Sequence, residues 1–234
     1  MTRKGLLWCA AAALTIIISG CSDSTKPRSP EEPAARPGAV GTGGAGANVR
    51  EDDDFVRDVA LKNMAEIELS RLALNRALNS QIKTFAQTMI DDHDAAGNKL
   101  KSAAAAGSIG WPSELDDKHR EDADELAKKQ GADFDRDYVK AMVESLQDLT
   151  AKLESRLDVQ SLQDWKTAAA GRTRDKSLPE PETAMRDVQI RPDKSEREIT
   201  RKINQWAAET YPVAQKHLDA ARTLENAIRK PSTN

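Results

Sequence analysis

SQIKTFAQTMIDDHDAAGNKLKSAAAA, residues 80–106, is the stretch that decides the fold. Its apolar side chains Ile82, Ala86, Met89, Ala96 and Leu100 recur at intervals of three, four and seven, with His93 on the same row. That spacing places them on one face of an α-helix, whereas a half-buried strand would alternate at two. No proline interrupts the run.

The same period extends outward from Glu51. It predicts a first helix from about Asp53 to Leu78, with Asp52, Asp53 and Asp54 favourably placed at its positive N-terminal end. Asn79-Ser80 turns the chain and caps the second helix, which runs to Ala106. Gly107 to Pro112 breaks the pattern, and Ser113 is expected to cap a shorter third helix ending near Gly131. A fourth follows from about Asp133 to at least Leu157. Residues 158–195 lose clear amphipathicity and carry Pro179, Pro181 and Pro192 among charges, so they are expected to form a long mobile connection with one helical turn around Trp165. The last helix is expected over Ser195–Arg229, bent at Pro212. Long helices joined by short turns pack as antiparallel neighbours, so residues 51–230 should form an all-α bundle of four to five helices.

Ahead of the bundle, Arg3 and Lys4 precede the apolar run Leu6–Ile18 and then Ser19, Gly20 and Cys21, the order of an export signal. Ile18-Ser19-Gly20-Cys21 resembles the bacterial lipobox, in which the cysteine thiol takes a diacylglyceryl group. Residues 1–20 are thus expected to be a lipoprotein signal peptide, and Cys21 the lipidated residue that anchors the chain to a membrane. Cys9 would leave with the signal, so no disulfide is expected in the mature chain. Position 22 is Ser and not Asp, which resembles lipoproteins forwarded to the outer membrane, facing the periplasm. Residues 22–50 contain four prolines, five glycines and no aromatic side chain, too little apolar surface to offset ordering entropy, and are expected to be a disordered tether. Gly41-x-Gly43-x-x-Gly46 within it matches a dinucleotide-binding pattern by letter, but neither the strand nor the helix which that motif requires flanks it.

Composition excludes several function classes. A formal charge of -3 removes the basic footprint of a nucleic-acid binder. A mean hydropathy of -0.65 is incompatible with repeated membrane spans. No Gly-x-Ser-x-Gly elbow is present.

The three histidines are the informative residues, because ionisable groups on apolar rows ask for a cause. His93 lies on the row Ile82, Ala86, Met89, Ala96, Leu100; His119 follows Leu115 and precedes Ala123 and Leu126; His217 lies with Ile203, Trp206, Ala214, Ala221 and Leu224. Glu68 shares the row Leu61, Ala65, Leu72, and a hairpin about Asn79-Ser80 brings it within a helical turn of His93. Tyr138, with Met142, Ser145 and Leu149 on its row, brings a phenol to the same interior. Two readings follow. Glu68, His93, His119 and His217 suit a transition-metal ion such as zinc, copper or iron, serving redox or sequestration. Alternatively, Glu68, His93, Tyr138 and His217 form a buried hydrogen-bond network that holds helix register. A ferritin-type di-iron centre requires Glu-x-x-His pairs, and Ile90, Asp116 and Ala214 stand at the required positions instead.

Ala65-Glu66-Ile67-Glu68-Leu69, Phe85 to His93, Phe134-Asp135-Arg136-Asp137-Tyr138 and Ala141-Met142-Val143 together resemble the domain of unknown function 4142 family of exported bacterial proteins. Tyr211-Pro212 with His217-Leu218 resembles its closing helix. The likeness spans about residues 53–157 and 197–225, with 158–195 as an insertion, a candidate docking arm for an envelope partner. It implies a ferritin-like bundle in the cell envelope, an association with envelope stress and no established activity. Carried over by position, the family's acidic residue falls on Glu68, its histidines on His93, His119 and His217, and its tyrosine on Tyr138. Where the family commonly has Asp-His, Ser145-Leu146 stand here, so an apolar group replaces a potential ligand.

Overall fold

The computed structural model of the protein describes residues 43–174 and 188–229. The expected signal peptide, Cys21, most of the tether, and Pro179 and Pro181 lie outside the described residues. Among the described residues there are six helices: α1 Gly43–Arg76, α2 Ser80–Ala106, α3 Asp117–Ala127, α4 Gly131–Glu154, α5 Val159–Arg174 and α6 Glu198–Arg229. Among the described residues there is no named strand, and no helix is long and apolar enough to cross a membrane.

Four helices close a ring in which α1 packs on α2, α2 on α6, α6 on α4, and α4 back on α1. Paired residues give the directions. Between α1 and α4, Asp58 meets Lys152 (2.9 Å), Lys62 meets Asp148 (2.5 Å) and Ser70 meets Tyr138 (3.0 Å), a descending register that makes the two antiparallel. Between α2 and α6, Asp92 faces His217 while Lys99 faces Glu209, again antiparallel. Since α1 and α2 are joined by a three-residue turn, the order is up, down, down, up. This is the one-crossover topology of ferritin-like bundles, with residues 107–130 as the crossover. α3 rides on this crossover against α1 and α4.

Side-chain chemistry sets the ends. Asn79 caps α2 by accepting from the Gln81 amide, as expected. The Asp135 carboxylate accepts from the amides of Leu78 and Asn79, both at 3.0 Å, and fastens the α1–α2 turn to the N-terminal part of α4. Gly131, at φ 61°, enters α4 through the left-handed region that favours glycine.

Four expectations about the elements are corrected. First, α1 begins at Gly43, inside the expected tether and well before Asp53. Asp52 is therefore not at a helix end but buried, where it binds Arg156 (2.7 Å), Arg197 (3.0 Å) and the Thr200 hydroxyl (2.7 Å). Second, Asp116 and not Ser113 caps α3, because its carboxylate reaches the His119 amide at 2.9 Å. Third, the stretch after α4 begins not with a single turn but with the sixteen-residue α5, whose Trp165 stands edge-on to Tyr211 with centroids 5.4 Å apart, while residues 175–187 lie outside the described residues. Fourth, its far end is pinned: Asp158 donates its amide to the Arg191 carbonyl, and Asp193 donates to that of Arg156, both at 2.9 Å. The two ends of the α4–α6 connection thus meet beside Asp52.

The core is one continuous layer running from Phe55 and Trp206 through Met89, Met142 and Leu146 to Ile82 and Phe134. On α1 and the residue that follows it the innermost stripe is Asp52, Val56, Val59, Glu66, Ser70, Ala73 and Ala77, each at most 3% exposed. Three of those seven are polar, and each has a partner on another helix.

Candidate functional site

The site grows from that stripe. Glu66, on α1, is fully buried. Its Oε1 accepts a 2.7 Å hydrogen bond from the Ser145 hydroxyl on α4, and its Oε2 lies 3.0 Å from His93 Nδ1 on α2. The His93 ring is tilted against that of His217 on α6, with centroids 5.6 Å apart. His217 Nε2 in turn lies 3.0 Å from Asp92 Oδ2, whose side chain is half-exposed. Every long helix of the ring therefore contributes to one polar chain crossing the core, Ser145–Glu66–His93–His217–Asp92. Neither 3.0 Å approach is an aligned hydrogen bond, so Glu66 Oε2 and His217 Nε2 are held by confinement in the packed core.

Burial dominates the electrostatics. For Glu66, burial raises the carboxyl pKa, but His93, the Ser145 hydroxyl and the nearby Lys62 more than offset it and hold the group below its ordinary value. His217 is pushed down to about 4 by burial and by the adjacent His93, against the opposing pull of Asp92 and Glu66. It is therefore a neutral imidazole at pH 7. Tyr138 is pushed upward by burial and stays a phenol.

The expected set is brought together in part. His93 and His217 meet as anticipated. Glu68 does not join them: its side chain is 45% exposed and points to Arg71, 3.9 Å away. The acid in the core is Glu66, two residues earlier and on the opposite side of the helix. The stripe through Leu61, Ala65 and Leu72 is the more hydrophobic in composition, which is why Glu68 was expected to face inward. The signal for Glu66 lay in Val56, Val59, Ser70, Ala73 and Ala77, a stripe of small and β-branched residues that allows close helix approach. His119 also stands apart. It binds Asp116 through Nδ1 at 2.6 Å and lines a cleft of about 710 Å³ between α1, α3 and α4, which Glu66 and Ser145 border from the far side. Tyr138 reaches the interior but bonds Ser70, and Phe85 alone joins it to the histidines, edge-on to Tyr138 at 6.4 Å and to His217 at 6.3 Å. Leu146 fills the core as an apolar residue, with Ser145 beside it serving Glu66.

A metal ion does not fit this donor set. Among the described residues no group of three or more His, Cys, Asp or Glu side chains is placed to hold one. The space beside His93 and His217, bounded also by Asn63, Asp92 and Thr210, is about 20 Å³, enough for one water molecule.

No curated protein and no solved structure matches the chain. The family model described as domain of unknown function (DUF4142) matches residues 38–175, which include α1 to α5 and the whole polar chain except His217. The match takes in residues 158–175, expected to be an insertion, and stops before α6. The chain belongs to the DUF4142 family.

Proposed function

We propose that this is a lipid-anchored protein of the bacterial cell envelope, held through Cys21, whose helical bundle faces the periplasm as a binding or structural module and not as an enzyme. The structural observation behind the non-catalytic reading is the closure around the imidazoles: His93 and His217 face each other, Glu66 and Asp92 around room for one water, and only the Glu66–Ser145 end of the chain borders the cleft of about 710 Å³. Catalytic groups need a substrate-sized space beside them. The anchored reading is supported by the order of charged, apolar and small residues ending at Cys21, and by the proline- and glycine-rich stretch between Cys21 and the start of α1. A lipid-borne chain of this design would meet its partner in the envelope, and the α4–α6 connection is the segment to delete in seeking one.

Cys21→Ser tests the anchor. Fractionation should move the protein from membranes to the periplasmic fraction, or leave it unprocessed. Unchanged membrane retention with a normally matured N-terminus would overturn the proposal.

A further inference from the structure

Buried imidazole pairs are uncommon, because each ring can accept a proton and the interior cannot hydrate the result. His93 and His217 come from two helices, α2 and α6, that are distant in sequence and joined by few polar contacts. Besides the Asp92–His217 approach these are the Trp206 indole N–H donating to the Ala96 carbonyl at 2.9 Å and the exposed Lys99–Glu209 pair at 3.9 Å. Within that interface Phe85 stands edge-on to His217.

We propose that the His93–His217 pair is an acid-sensitive latch between α2 and α6, closed when His217 is neutral and released when it takes up a proton.

The surroundings supply the reason. A proton on His217 places a cation against the His93 ring, 5.6 Å away between centroids, in a space that holds a single water. From α1 the facing charge is Glu66, already committed to His93 and Ser145 and steadied as an anion by Lys62. From α2 it is Asp92, whose half-exposed carboxylate is screened by water. On α6 itself Lys216 adds repulsion. The packed groups of α4, Leu149 and the neutral Tyr138, offer no charge. The sign follows from linkage: closed, His217 binds its proton only near pH 4, and released, near its ordinary 6.5. Between those values the open form carries one more proton, so the closed-to-open ratio falls by up to about tenfold for each pH unit of acidification. Above 6.5 the ratio no longer depends on this group. Opening would bare Phe85 and Trp206, which the two helices now cover.

Hydrogen exchange of the full chain between pH 7.5 and 4.5, corrected for intrinsic rates, reads this directly. Opening of α2 and α6 amides should rise up to about tenfold per unit below 6.5 in the native protein and in His119→Gln, and lose that slope in His217→Gln. An equal slope in His217→Gln, or none in the native protein, would overturn the latch. Should His217→Gln fail to fold, ring NMR of the native protein decides: a His217 imidazole still neutral at pH 5.5 supports it, and an ordinary titration near 6.5 refutes it.

Discussion

Glu66 Oε2 stands 3.0 Å from His93 Nδ1, with neither side chain more than 7% exposed, so an acid and a base from adjacent helices are desolvated together. Such a pair adds little net stability over a well-packed apolar one, but removing one partner leaves the other stranded. Glu66→Gln is therefore expected to cost about 3–5 kcal/mol in urea unfolding. Glu68→Gln, two residues on and facing solvent beside Arg71, should stay within about 0.5 kcal/mol of the native protein. Equal costs would mean that the inner stripe of α1 has been placed wrongly.

Asp52 binds two guanidinium groups and one hydroxyl at the end of the bundle where α1, the end of α4 and the start of α6 meet. Arg156 is itself buried, lies 4.4 Å over the Phe55 ring and donates to the Glu51 carbonyl. Asp52→Asn leaves both arginines without their counter-ion and should destabilise by about 3–5 kcal/mol. Combining Asp52→Leu with Arg156→Met removes the buried charges together and should recover much of that loss, a non-additivity that a double-mutant cycle measures.

The Ser70–Tyr138 hydrogen bond, 3.0 Å long and fully buried, gives a smaller version of the same asymmetry. Tyr138→Phe strands the Ser70 hydroxyl and is expected to cost about 1–3 kcal/mol. Adding Ser70→Ala should return most of it, since both polar partners are then gone. Thermal unfolding of the two variants decides the point.

Metal content tests the expected ligand set. Protein purified without added ions is expected to hold less than one equivalent of zinc, copper or iron, and a chelator should leave its melting temperature unchanged. A stoichiometric ion that disappears in His93→Ala would reverse this and restore a metal role to the core.

How much was legible beforehand divides along physical lines. The periodicity around His93 and His217 revealed both rings as inward, because each sits among flanking apolar residues that leave one possible face. Glu66 was hidden because the inner stripe of α1 is carried by small and polar residues, so its hydrophobicity is lower than that of the neighbouring stripe. The start of α1 was missed for a related reason. Asp52 looked like a helix-end charge, and only Arg156 and Arg197, more than a hundred residues away, turn it into a core residue. α5 escaped because the prolines that follow it coloured the whole segment.

Gly107 supplies a test of packing alone. At φ -98° any residue is tolerated there, yet a Cβ would lie 2.4 Å from Ile199 Cγ1 and 2.5 Å from Cδ1. The glycine is thus explained by the close approach of the end of α2 to the start of α6 and not by backbone strain. Gly107→Ala is expected to destabilise by about 1–3 kcal/mol through overpacking. Ile199→Ala removes the two atoms in the way, so in that background the glycine substitution should cost much less. Gly171 in α5 is the contrasting case, with no atom within 4 Å of the position a Cβ would take. Gly171→Ala should then stabilise its helix by about 0.5–1 kcal/mol through propensity alone. Equal effects of alanine at positions 107 and 171 would mean that α2 and α6 do not meet as described.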